Sequence, residues 1–147
     1  MADLKATVIY QYGDLLFGRV TLPKKTAADA IEIGDFLVWD ASNDGVEKVD
    51  AAADDATFVG ISGCDSADAD GVQDILVYTQ AIVEVPAESA QYKFGAGLLY
   101  NTNGTVADDA GANTIGWVWE KDTGASATSV KMYFNTASLA KLFEVNA

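Results

Sequence analysis

Short runs of apolar and β-branched residues, punctuated by Gly, Pro and Asn-Asp-Gly, recur along most of the chain, and this rhythm predicts strands joined by tight turns. In "ATVIYQYGDLLFGRVTLP" the β-favouring residues flank Gly13-Asp14, a pair suited to a type II′ turn. Thr7 to Tyr12 and Leu15 to Leu22 are therefore expected as a paired hairpin, with Pro23 ending its second strand. "KKTAADA" follows as a polar connection or one helical turn. "IEIGDFLVWD" alternates poorly and is continuously apolar from Phe36 to Trp39, the pattern of a strand covered on both faces or of a barrel wall.

Asn43-Asp44-Gly45 predicts a turn and Val46 to Val49 its return strand. "AAADDA" is an acidic link too short to hold a helix by itself. "TFVGIS" and "VQDILVYTQAIVEVP" predict the next strands, separated by the loop "GCDSADADG" and closed by Pro86.

The second half of the chain can be laid over the first. Gly34 to Trp39, "GDFLVW", returns 61 positions later as Gly95 to Tyr100, "GAGLLY", and Asp44-Gly45 returns as Asn103-Gly104. Thr57 to Ile61 matches Thr114 to Trp117 with one residue fewer, and Asp74 to Tyr78 matches Ser129 to Tyr133. Any all-β chain repeats short strands at turn-limited spacing. The alternative is a duplicated β unit inside one barrel or sandwich, and the preserved Gly-turn-Gly order favours it. Two copies are too few for a solenoid.

The final stretch, "TASLAKLFEVNA", changes period: Leu139, Leu142 and Phe143 stand at i, i+3 and i+4, with Ser138 available as a cap. About two helical turns with one apolar face are expected, either as a frayed tail or as a docking segment that orders against a partner. The organisation expected is thus one all-β domain over 1–147. It comprises an N-terminal hairpin and connection (1–30), a first β unit (34–79), a second (95–135) and the tail (136–147).

Composition agrees: 147 residues, half of them hydrophobic, suit one domain with a real core. The charge of −13, from 22 acidic and 9 basic residues, disfavours nucleic acid as a partner, because phosphate binding needs clustered positive charge. The N-terminus has no secretory pattern and no run reaches membrane-spanning length, so a soluble, cytoplasmically made protein with no membrane partner is expected. The single cysteine, Cys64, cannot form an internal disulfide. The absence of His removes the commonest general base and transition-metal ligand.

Candidate chemistry is sparse. Asp68-x-Asp70-Gly71 copies the middle of a calcium loop, and Asp65 stands beside it. The loop positions that should carry strong ligands hold Ser66 and Val77, so a solvated acidic loop is expected in preference to weak cation binding. No His can activate Ser, Thr or Cys64, and the acidic neighbours of Cys64 disfavour its thiolate. No Gly-rich loop leads into a helix and a Lys. Carboxylates abundant enough for glycoside hydrolysis sit mostly among Ala, Ser and Gly in loops. No catalytic residue, cofactor or metal is therefore expected.

Trp117 and Trp119 share one face of a strand, with Val118 on the other. A pair of indoles can stack on sugar rings, which makes a carbohydrate-binding β module the alternative reading. In the repeat, Trp117 falls opposite Ile61, a core position, whereas Trp119 falls opposite Gly63. Trp119 is therefore the candidate interface aromatic, with Leu139, Leu142 and Phe143 in the tail.

The order "AIEIGDFLVWD", "FVGIS", "AIVEVPA", "FGAGLLYNTNGTVAD", "TIGWVWE" and "SVKMYF" resembles small capsid decoration, or cement, proteins of tailed bacteriophages over roughly residues 30 to 135. The resemblance implies a β-barrel or sandwich on the outer surface of the capsid, often a trimer, that reinforces contacts between capsomers. Its implied partners are the major capsid protein and further copies of itself. It implies no catalytic residues, and "KKTAADA", the acidic loops and the C-terminal stretch lie outside its pattern.

Overall fold

The computed structural model describes residues 5–11, 19–25, 30–40, 42–49, 58–67, 74–101, 105–108 and 114–136. Eleven strands lie within them: β1 (Thr7–Gln11), β2 (Arg19–Pro23), β3 (Phe36–Asp40), β4 (Gly45–Lys48), β5 (Phe58–Ser62), β6 (Asp74–Tyr78), β7 (Gln80–Ala90), β8 (Gly97–Tyr100), β9 (Val106–Asp108), β10 (Gly116–Val118) and β11 (Ala127–Asn135). The fold is all-β, as its rhythm of strands and turns predicts. The acidic link and the C-terminal stretch, with Leu139, Leu142 and Phe143, lie outside the described residues.

The strands form two sheets of matching order. The first runs β2-β6-β5-β3-β4, and the second runs β7-β11-β10-β8-β9 with β1 added outside β7. β7 and β9 also pair in parallel at Ala87 and Val106, closing the second sheet into a five-stranded barrel. In the first sheet the ends meet at the same place, through a parallel bridge between Lys24 and Val46. Strand for strand, β2 to β6 correspond to β7 to β11, so the duplication is present in the topology. It also takes in β2 and the first part of β7, where Pro23 opposes Asp74 as Pro86 opposes Ser129.

The correspondence reaches individual hydrogen bonds. Gly34 donates to the Ser62 carbonyl at 2.9 Å, and Gly95 to that of Val118 at 2.9 Å; Ser62 N–H returns to Asp35 and Val118 N–H to Ala96. Gly34 and Gly95 both take positive φ, 91° and 85°, which favours glycine at this turn in each unit. At Gly60 and Gly116 a Cβ would run into the carbonyl oxygens of Tyr78 and Tyr133, themselves equivalent residues.

Two expectations need correction. The N-terminal hairpin does not form: β1 pairs antiparallel with β7, from Thr7 opposite Glu84 to Gln11 opposite Ala81, while β2 pairs with β6 in the other sheet. Closing the second barrel leaves the first half of one β7 edge with unpaired N–H and C=O groups, and β1 satisfies them. Gly13-Asp14 lies outside the described residues. Nor does Pro86 end its strand, for β7 continues to Ala90. Pro86 sits where the register against β11 shifts, a place that tolerates a missing donor.

The units share a core. Phe36, Val38, Phe58 and Ile61 of the first unit join Val83, Val85, Leu98, Tyr100, Val130, Met132 and Phe134 of the second in one buried cluster. Its aromatic centre is edge-to-face: the Tyr100 centroid lies 5.5 Å from Phe36 and 5.8 Å from Phe58, and Phe134 lies 5.7 Å from Phe58. Leu37 turns the other way, into a second cluster with Ile31, Val46, Val59, Ile75 and Val77. The unbroken apolar run at β3 is thereby explained, since its two faces enter different cores.

Candidate interaction surface

β10 and β11 pair with Trp117 opposite Tyr133 and Val118 opposite Met132. The two-residue period sends Val118 and Met132 into the core and leaves Trp117, Trp119 and Tyr133 on the outer face. There the rings form a ladder. Tyr133 lies 6.5 Å from Trp117 and 5.3 Å from Trp119, and Trp119 lies 5.2 Å from Phe94 in the turn before β8. The Phe94 turn is held by backbone N–H donation to Asp122 Oδ1 at 3.1 Å, and Trp119 N–H donates to the Lys131 carbonyl at 2.8 Å. Tyr133 Oη accepts from the amides of Gln80, at 3.1 Å, and Asn135.

Trp119 is 42% exposed and Phe94 59%, so two rings in contact stand open on the outer face. Trp119 is thus an exposed aromatic, as its place opposite Gly63 predicts. Trp117 departs from the core position of Ile61: Ile61 is buried between the units, while Trp117 is half-buried on the outer face. Phe94 escapes sequence reasoning based on strands, because it stands in a turn. Its counterpart in the repeat, Ile33, is likewise an exposed apolar residue of a turn, at 58%. Successive ladder planes are tilted by 45° and 44°, so the exposed rings do not form one flat platform.

Among the described residues, several polar groups tie segments of the fold together. Asp35 is buried; it accepts from Lys5 Nζ at 2.6 Å and from Glu32 N–H at 2.8 Å. Lys25 bridges Glu47 at 2.7 Å and Asp40 at 3.2 Å, and those carboxylates push its pKa up. Cys64 is half-buried against the first unit's core, where its Sγ accepts from Leu76 N–H at 3.4 Å. Asp65 caps the Ile33 turn, accepting from its N–H at 2.8 Å, while Asp68 and Asp70 lie outside the described residues. Among the described residues no group of three or more His, Cys, Asp or Glu is placed to hold a metal.

No family model and no curated protein matches the chain. Among solved structures it is similar to the N-terminal base of the head fiber protein gp8.5 of bacteriophage phi29. The likeness has a TM-score of 0.50 and 18% identity, over 80% of this chain and 94% of that one. At that identity the likeness is one of fold.

Proposed function

We propose that this chain is a structural protein of a tailed-phage virion, bound to the outer surface of the capsid and reinforcing contacts between capsomers. The observation that carries this reading is the fold likeness to a phage head fiber base, which takes in nearly the whole of that domain. The sequence resemblance to capsid decoration proteins points the same way. The physical features are compatible with it. Two β units joined by one core can present one surface to a lattice, and the exposed ladder offers aromatic anchors of the kind that dominate binding energy at interfaces. The partner is the major capsid protein, and the chain acts as a homo-oligomer, with a trimer favoured.

The test is co-sedimentation of the purified protein with capsids assembled from the shell protein of its own phage, followed by electron cryo-microscopy. Ordered density on the outer face of the shell supports the reading. Absence of the protein from purified virions and from pelleted capsids overturns it.

The adjacent exposure of Phe94 and Trp119 also favours a second reading, a carbohydrate-binding module, since sugar rings stack on such faces. Glycan binding lost on Trp119→Ala, together with no capsid binding, would put that reading first.

A further inference from the structure

The duplication singles out one buried group. The turns before β3 and β8 are built alike: Asp35 N–H donates to the Glu32 carbonyl at 3.1 Å, and Ala96 N–H to that of Lys93 at 3.0 Å. The second unit makes its turn with Lys93 and Ala96 where the first has Glu32 and Asp35. A carboxyl is therefore not needed to shape the turn, yet that of Asp35 is wholly buried in it.

Three groups converge on this carboxyl. An antiparallel bridge sets Lys5 opposite Asp35, and Ala6 N–H donates to the Gly34 carbonyl at 2.6 Å, so the backbone of the N-terminal segment is fixed beside the turn. Lys5 Nζ reaches Asp35 Oδ1 at 2.6 Å, which puts a primary amine one C–O bond from the carboxyl carbon. The other oxygen, Oδ2, accepts from Glu32 N–H at 2.8 Å. The carboxylate of Glu32, open to solvent, stands 3.5 Å from the same Nζ.

These are the parts of an amide-forming site. They comprise a nucleophile, a desolvated electrophile, a donor on the oxygen where charge develops, and a second carboxylate that can carry a proton. The ion pair differs from a neutral amine and carboxylic acid only by one proton moved along the 2.6 Å bond. That proton is handed over within the pair and not lost to solvent. Burial favours the transfer, because it removes a charge that water does not reach at Asp35.

We propose that Lys5 and Asp35 condense in the folded chain to a side-chain amide, with Glu32 as the proton relay. The Nζ lone pair attacks Cγ, the N–C bond forms, and the displaced π pair goes to Oδ2, where Glu32 N–H stabilises it. The Glu32 carboxylate takes a proton from Nζ and delivers it to the Oδ1 hydroxyl. The Cγ–Oδ1 bond breaks, Oδ1 leaves as water, and the pair on Oδ2 restores the carbonyl. Glu32 ends as it began, and no oxidant or activating co-reactant takes part.

Holding amine and carboxyl together supplies an effective concentration on the order of 10⁵ M or more, which offsets the unfavourable condensation in water. The ion pair is the reactant, and its electrostatics are those of the chain before the bond forms. The product ties the N-terminal segment, whose β1 lies in the second sheet, covalently to the first unit.

The experiment is intact-mass spectrometry of the full purified chain, at once and over days at neutral pH. The folded wild type is expected to become lighter by the mass of one water, and digestion should yield a branched peptide that joins residues 5 and 35. Lys5→Arg, which keeps the charge but forms no such amide, should hold its full mass, as should Asp35→Ala. Glu32→Gln should form the bond at least about a hundredfold more slowly, the lower range for loss of a general acid–base group.

A folded wild type that keeps its full mass overturns the proposal. So does a water lost equally from Lys5→Arg, which places the dehydration at another carboxyl, such as that of Asp44 before Gly45. Glu32→Gln reacting at the wild-type rate overturns the relay. Should a variant fail to fold, the branched peptide of wild type decides by itself. The mass is read on the chain alone, so the outcome is independent of whether the chain binds capsids.

Discussion

The hydroxyl of Thr136 donates to the carbonyl of Val59 at 2.9 Å, joining the end of β11 to the middle of β5 in the other unit. Thr136 is buried, and its own N–H donates to Thr79 at 2.9 Å. The bond crosses between the units beside the aromatic centre of the shared core.

Thr136→Val keeps the shape and strands the Val59 carbonyl. Stability should fall by about 1–3 kcal/mol, the cost of a buried polar group left without its partner. Urea unfolding should remain a single transition, because the units share one core; two separate transitions would contradict the shared-core description.

Lys5 and Asp35 form the ion pair that pins the N-terminal segment across the first unit. Burial pulls the Lys5 pKa down, but bonding to Asp35 and the nearby Glu32 outweigh it and leave it raised. Lys5→Met should cost about 1.5–3 kcal/mol, the range for a hydrogen bond to a charged group, because it leaves a buried carboxylate unpaired. The counterpart of Asp35 in the second unit is Ala96, so Asp35→Ala in the Lys5→Met background should recover much of the loss. A double-mutant cycle on urea midpoints measures it.

Asp40 predicts an acid limb. Its carboxyl lies below the usual range, chiefly through the Asn43 side chain and also through Lys25 and the N–H groups of Ser42 and Asn43, against an opposing effect of burial. A depressed carboxyl contributes stability above its unfolded value of 3.8, and the contribution is lost as pH falls through the folded value. The difference in urea midpoint between wild type and Asp40→Asn should therefore be present at neutral pH and close as pH falls below about 4. On the alkaline side Lys5 and Lys25 are both raised, so their contributions persist up to 10.5 and are lost as pH rises further.

The equivalent turn glycines should respond unequally. Gly95→Ala meets open space and costs only the left-handed backbone, about 1–2 kcal/mol. Gly34→Ala adds a collision with the Ala6 carbonyl and should cost more, through loss of the N-terminal segment. Equal melting temperatures for the two variants would contradict the placement of Ala6.

Under the proposed function, the acidic chain reaches the shell through apolar contact and not through net charge attraction. Capsid binding should hold or tighten as salt is raised in a co-sedimentation series. A steep fall would count against the apolar mode.

The strands and the duplication were legible because both are written locally. A positive-φ glycine, an apolar run and a turn recur at Gly34 and Gly95 whatever surrounds them. The partner of β1 was not legible, because the Gly13-Asp14 pattern suits a hairpin while the choice of β7 arises from how the second barrel closes. Pro86 misled for a related reason: its missing donor matters only against a partner in register, and the register shifts there. Trp119 could be singled out by its glycine counterpart. Phe94 needed its three-dimensional neighbours.

The pairing of β1 with β7 sets an order for events during synthesis. Residues 7–11 leave the ribosome about 70 residues ahead of the strand that receives them, which at 5–20 residues per second is roughly 4–14 s. Through that interval a β-forming segment has no partner of its own and is open to pairing with the same segment of another nascent chain. Yield from rapid overexpression should therefore be limited by this segment, and slower synthesis at lower temperature should favour the correctly closed molecule.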